Sequence, residues 1–224
     1  MNTVLMNPGE LEGANKTLLL PLWARARESH QTNPILVDHQ AEQIVESLCS
    51  TPSYKNSFTA MDERFDKFYQ LSQLIRAKCL DDEIKLFLTG YPSGIIVNIG
   101  AGLDTTFTRV DNGLLHWYDL DLPEVIALRR RYFPETDRNQ CIARSVLDTT
   151  WFEDLGDTRN GVMFVACGVL FFLQKDQVKQ LLIEITDRFP GNEAAFDTMS
   201  RLFLMIGNKQ VLKRSGMGDR AVMQ

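Results

Sequence analysis

Cysteine and histidine are both scarce in this 224-residue chain, with four of the first and three of the second. Cys49, Cys79, Cys141 and Cys167 lack the close pairing that zinc sites and dithiol centres use. His30, His39 and His116 form no His-x-x-x-His or His-Glu-x-x-His pattern, so reduced thiols and no protein metal site are expected. Long apolar runs are missing too. The longest, Val162 to Leu173, has twelve residues and contains Gly168, short of the roughly 18 that span a bilayer, so it reads as a buried strand and its exit. Residues 1–13 show no basic leader followed by an apolar stretch, which leaves the cytoplasm as the expected compartment. Positive charge is not in excess, because 24 Lys and Arg stand against 29 Asp and Glu for a net charge of −5. The one basic triplet, Arg129-Arg130-Arg131, falls at the end of a predicted helix, where cations suit the dipole. Neither a nucleic-acid footprint nor a membrane surface is expected.

What is present is an ordinary globular balance, 44% apolar and 24% charged, in a chain long enough to bury about 70% of its unfolded surface without staples. No internal repeat or low-complexity linker interrupts it, and its texture changes near Gly90. Before that point apolar residues recur at helical spacing. Val37, Ala41, Ile44, Val45 and Leu48 follow a helix start at Asn33-Pro34, and a second set, Phe65, Phe68, Leu71, Leu74 and Ile75, precedes Asp81-Asp82 and a short segment from Ile84 to Leu88. After Gly90, strand-like runs at Ile95–Ile99, Leu114–Asp119, Cys141–Ser145, Val162–Ala166 and Glu193–Asp197 alternate with amphipathic segments at Pro123–Tyr132 and Asp176–Phe189. Such alternation is what parallel strands joined by crossover helices require. The expected architecture is an open α/β, mainly parallel sheet over residues 91–224 behind an N-terminal helical cap over residues 1–90, together one structural unit.

In open α/β sheets ligands bind beyond the carboxyl ends of the strands. The first predicted strand ends in Asn98-Ile99-Gly100-Ala101-Gly102-Leu103-Asp104, where paired glycines allow close backbone approach. Thr105 stands where a dinucleotide fingerprint has its third glycine, which argues against a pyrophosphate ligand and an NAD-linked dehydrogenase. The second strand ends in Asp119-Leu120-Asp121-Leu122-Pro123, about twenty residues after the glycine turn, where a carboxylate can accept both hydroxyls of a ribose. Asp121 has the alternative of capping the helix entered at Pro123. Asp148, after the third strand, either receives an adenine amino group or caps the segment beginning at Thr149-Thr150. Together these features fit a nucleoside with a small amino-acid tail, which points to S-adenosylmethionine.

The strings NKTLLLPLWARARES from Asn15, IRAKCLDDEIKLFL from Ile75, VNIGAGLDTTFTRV from Val97, WYDLDLPEVIALRR from Trp117 and SVLDTTWFEDL from Ser145 resemble the leucine carboxyl methyltransferase family and its bacterial, polyketide O-methyltransferase-like relatives. The resemblance implies a class I S-adenosylmethionine-dependent methyltransferase fold and O-methyl transfer to a carboxylate of a small molecule or peptide. It implies that Lys16 and Arg76 neutralise the cofactor's carboxylate, that Gly100, Ala101 and Gly102 approach the cofactor, and that Asp121 takes the ribose with Asp119 as a second candidate. Leu147, Asp148 and Thr149 are implied to border the adenine.

Two departures from that family stand out. Where it reads Ala-Glu-Gly-Val-Leu with an acid facing the cofactor, this chain has Ala166-Cys167-Gly168-Val169-Leu170, and Phe171-Phe172 follow where a tyrosine is common. The sequence also stops at Gln224, so the sixth and seventh strands of a class I sheet are expected to be absent. These departures motivate the alternative of a catalytically degenerate S-adenosylmethionine-binding or interaction protein. A carboxylate acceptor is ionised near neutrality and needs no general base, so no catalytic residue is singled out.

Overall fold

The computed structural model describes residues 18–198. By compactness the chain divides into two units, and the division falls at Leu74/Ile75, inside a helix. In the first unit, α1 (Leu19–Ser29), α2 (His39–Cys49) and α3 (Pro52–Arg64) pack on one another, burying Leu22, Trp23 and Ala26 of α1 and Ala41, Ile44 and Leu48 of α2. The second helix begins at His39 because the Asp38 carboxylate accepts the Ala41 N–H at 2.9 Å as its N-cap. The other Asp38 oxygen lies 2.8 Å from Arg25 Nε in a buried pair that ties the cap to α1. Trp23 Nε1 donates to Asp62 at 2.9 Å, joining α1 to α3.

Helix α4 (Lys67–Gly90) runs unbroken through Asp81-Asp82 and joins the second periodic set to the segment from Ile84 to Leu88. Asp81 is 1% exposed, and burial raises its carboxyl above the ordinary range. The charge is tolerated because Arg109 of α5 (Thr106–Val110) grips it bidentately, Nε at 2.7 Å and Nη2 at 2.9 Å. That compensation comes from 28 residues downstream and has no local signature.

In the second unit five strands, β1 (Ile95–Ile99), β2 (His116–Asp121), β3 (Asn139–Ala143), β4 (Val162–Ala166) and β5 (Glu193–Phe196), form a wholly parallel sheet in the order β3-β2-β1-β4-β5. The open α/β class read from the alternation of elements is the observed one. Every residue of β1 and β4 is buried, as befits central strands covered on both faces. One face packs Val97, Ile99, Leu120 and Phe164 against Leu181 and Ile185 of α7 (Lys175–Arg188), while the other packs Ile96, Trp117, Met163 and Val165 against Leu80, Ile84 and Phe87 of α4. Between β2 and β3, α6 (Pro123–Arg129) makes the crossover, with Pro123 preset for a first helical turn. The second strand extends to Asp121, two residues beyond the sequence expectation of Asp119. Residues 199–224, where further strands were expected to be missing, lie outside the described residues.

All four cysteines are free thiols. Cys141 has its thiol pushed up to about 12, first by burial and then by the Asp119 charge, whereas Cys79 is exposed. Since the thiolate is the nucleophile, iodoacetamide near neutral pH is expected to alkylate Cys79 well ahead of Cys141. Peptide mass mapping checks this, and equal labelling of the two would contradict the packing around β3. Among the described residues no three His, Cys, Asp or Glu converge as metal ligands, and no helix is long and apolar enough to cross a membrane.

Candidate functional site

Strand order reverses between β1 and β4, since β2 and β3 lie to one side of β1 and β5 lies beyond β4. Such a switch point opens a crevice at the carboxyl ends of its strands. The chain leaves β1 there through Gly100 at φ +69° and Gly102 at φ +48°, left-handed conformations that side chains resist. A Cβ on Gly100 would stand 2.2 Å from Val169 Cγ2, so the exit from β4 closes tightly on this turn.

The turn also folds back on β2. Gly100 and Ala101 donate their N–H groups to Leu120 O at 2.8 and 3.2 Å, and Gly102 donates to Asp121 Oδ2 at 2.8 Å. Asp121 Oδ1 accepts the Leu122 N–H at 2.7 Å. The glycine turn and the acid at the end of β2 therefore meet at one place. Asp121 does not cap α6, because neither N–H it accepts belongs to the first turn of that helix. It is half-buried, and burial raises its carboxyl above the ordinary aspartate range against the opposing pull of those two N–H groups.

Asp119 has gone elsewhere, and here the sequence expectation needs correcting. It is fully buried, with Oδ1 accepting Trp117 Nε1 at 2.8 Å and Asn98 Nδ2 at 3.0 Å and Oδ2 held by Arg129 at 2.7 Å. A carboxylate so committed has no room for a ligand's hydroxyls, which leaves Asp121 as the ribose candidate. Its partner ends α6, where the sequence placed it. Arg129 is nonetheless only 1% exposed, turned inward from that helix end. Helical spacing from Val125 and Ile126, both buried, puts Arg129 on the inward face of α6, and that was the available signal.

The remaining candidates separate. Asp148 caps the 3₁₀ turn Thr149–Asp154, accepting the Thr150 N–H at 3.2 Å and the Thr150 hydroxyl at 2.6 Å, the second of the two roles open to it. Leu147 beside it is exposed and Thr149 opens the same turn. Arg76 lies at the ends of β4 and β5: its Nη2 is 3.4 Å from Cys167 Sγ, and its Nε is 2.9 Å from Asp197 Oδ2. The other Asp197 oxygen accepts the Gly168 N–H at 2.7 Å. A carboxylate thus sits against Arg76, supplied by Asp197 from beyond β5 and not by the residue after Ala166. Cys167 itself is half-buried, and that desolvation raises its thiol above the ordinary range. Lys16 lies outside the described residues.

A family model for leucine carboxyl methyltransferase matches residues 19–186. The chain belongs to that family. The match takes in the glycine turn and Asp121 and ends within the last turn of α7. The chain is 29% identical over 208 residues to the tetracenomycin polyketide synthesis O-methyltransferase TcmP of Streptomyces glaucescens, covering 92% of this chain and 74% of that protein. It is 31% identical over 188 residues to the S-adenosyl-L-methionine-dependent methyltransferase dpfgK of Gibberella zeae, covering 80% of this chain and 62% of that protein. Among solved structures, magnesium protoporphyrin IX methyltransferase from Synechocystis is similar with 13% identity and a TM-score of 0.44, over 82% of this chain and 83% of that one.

The family's cofactor can be tested against the geometry. A carboxylate offers about four lone-pair sites; Asp121 uses two on Gly102 and Leu122 and keeps acceptor capacity for a pair of hydroxyls. A pyrophosphate would instead need free N–H groups at the turn. Those of Gly100, Ala101 and Gly102 are already bonded to β2, so the site suits an adenosyl group better than a dinucleotide.

Proposed function

We propose that the protein is an S-adenosylmethionine-dependent O-methyltransferase whose acceptor is a carboxylate of a small molecule or peptide. The observation that carries this reading is the meeting of the glycine turn with Asp121 at the β1/β4 switch point, through Gly102 N and Asp121 Oδ2 at 2.8 Å. Asp121 would accept the ribose hydroxyls, Gly100 to Gly102 would let the backbone approach the adenosyl group, and Arg76 would face the carboxylate of the amino-acid tail. When bound, the cofactor would supply a sulfonium methyl whose carbon bonds to the acceptor oxygen as its bond to sulfur breaks and S-adenosylhomocysteine leaves.

In such an in-line transfer positive charge is dispersed, and the protein's task is alignment and exclusion of water. A carboxylate acceptor arrives ionised at neutral pH, its free pKa being about 4. No proton has to be removed, and a site without a nearby general base can serve. A phenol, with a pKa of about 10, would need one.

Incubation with methyl-labelled S-adenosylmethionine and a panel of carboxylates and phenols tests the reading. Base-labile label on carboxylates, formed with an equivalent of S-adenosylhomocysteine, is the expected result. Label on phenols alone would move the acceptor class, and cofactor binding without any transfer would favour a binding protein that has lost catalysis.

A further inference from the structure

We propose that Arg129 is the positioning residue that sets the shape of the cofactor turn and, through it, the aim of Asp121; this rests on the reading of that turn as the adenosyl site. The guanidinium is divided between two tasks. Its Nε and Nη2 hold Asp119 Oδ2 at 2.9 and 2.7 Å, while Nη1 donates into the turn, to Asp104 O at 2.7 Å, Gly102 O at 3.1 Å and Ala101 O at 3.4 Å. Asp119 cannot shift in response, because its other oxygen is held by Trp117 and Asn98 from β2 and β1. Phe133 closes the remaining side, its ring centroid 4.1 Å from the Arg129 Cζ.

The peptide joining Ala101 to Gly102 shows what this achieves. Its carbonyl points toward the Arg129 guanidinium, and its N–H, directed the opposite way within the same plane, donates to Asp121 Oδ2 at 2.8 Å. A planar peptide cannot turn one of these groups without turning the other. The cation buried beneath the turn therefore governs the hydrogen bond that orients the ribose acid above it. Lysine could keep the charge opposite Asp119, but its compact ammonium cannot serve both Asp119 and the turn carbonyls as a planar fork does.

The test compares Arg129→Lys, Phe133→Leu and, as a control on the neighbouring exposed arginine, Arg130→Lys. Amide hydrogen exchange at Gly100 to Gly102 and calorimetric affinity for S-adenosylhomocysteine are read beside melting temperature. Arg129→Lys is expected to speed exchange at the turn while β1 and β4 amides keep their protection, and to weaken S-adenosylhomocysteine about tenfold or more, the effect of losing one charge-assisted hydrogen bond. Phe133→Leu should move both readouts the same way by less, which preserves the test if Arg129→Lys does not fold; Arg130→Lys should move neither. Exchange that rises uniformly over the sheet, or a turn unchanged in the variants that fold, would make Arg129 a stabilising residue only and overturn the proposal. If the unaltered protein does not bind S-adenosylhomocysteine, the cofactor reading fails, and the exchange pattern still decides whether Arg129 shapes the turn.

Discussion

Replacing Asp121 by alanine is expected to weaken S-adenosylmethionine binding by about 1 to 3 kcal/mol, the range for leaving a buried hydrogen-bonding group without its partner. Two losses add here. The ligand's hydroxyls lose their acceptor, and the Gly102 N–H loses the carboxylate that anchors the turn. Asp121→Asn keeps a carbonyl oxygen for Gly102 but one acceptor fewer for a ligand, so its affinity should fall between those of the parent and the alanine variant. The pH dependence carries a sign of its own. Hydroxyl donors favour the ionised carboxyl, so affinity is full above the Asp121 pKa and declines as pH drops through it. Because burial lifts that pKa above the ordinary 3.8, the decline starts at a higher pH than an exposed aspartate would give, and Asp121→Asn should remove it. Calorimetric titration across the acid range reads all of this. Equal affinity for parent and Asp121→Ala would reduce Asp121 to an anchor for the turn.

The second large effect is expected at Gly100. Valine there meets two independent obstacles: a backbone at φ +69°, which costs a side-chain-bearing residue about 1 to 2 kcal/mol, and a Cβ position 2.2 Å from Val169 Cγ2, where overpacking typically costs about 1 to 3 kcal/mol. The sum, roughly 2 to 5 kcal/mol, should lower the melting temperature by roughly 4 to 20 °C in a chain of this size and abolish cofactor binding. The obstacles can be separated. Gly100→Ala combined with Val169→Ala relieves the steric one and leaves the conformational one, so it should recover part of the stability lost by Gly100→Ala alone. A Gly100→Val protein that melts and binds like its parent would mean that the turn has been misplaced.

Much of the sheet was legible in the residues because its central strands are short apolar runs bounded by turn signals: Ile95–Ile99 and Val162–Ala166 coincide with β1 and β4. The glycine turn and the acid pair were legible for the same reason, since strand ends in this class are where ligands bind. Asp119 and Asp121 could not be told apart from the pattern, because they are two residues apart in one strand and project to the same face. What separates them is Arg129, which reaches Asp119 from α6, and Trp117, whose indole binds the same carboxylate. Asp81 hid in a similar way. Nothing around it in the sequence marks it as buried, because the Arg109 that neutralises it inside α4 arrives from a later element. Local pattern reports which surface a residue turns inward, whereas a buried charge depends on a partner that only the tertiary fold brings near.

The order of the strands has a consequence for synthesis on the ribosome. Ile95 of β1 lies beside Val162 of β4, so the centre of the sheet joins segments made far apart in time, with β2 and β3 emerging between them. Until Val169 has left the exit tunnel, the turn at Gly100 has one wall missing. A nascent chain halted after β3 would carry both the glycines and Asp121 yet lack the crevice, so the proposed cofactor site can assemble only after β4 and its exit have emerged.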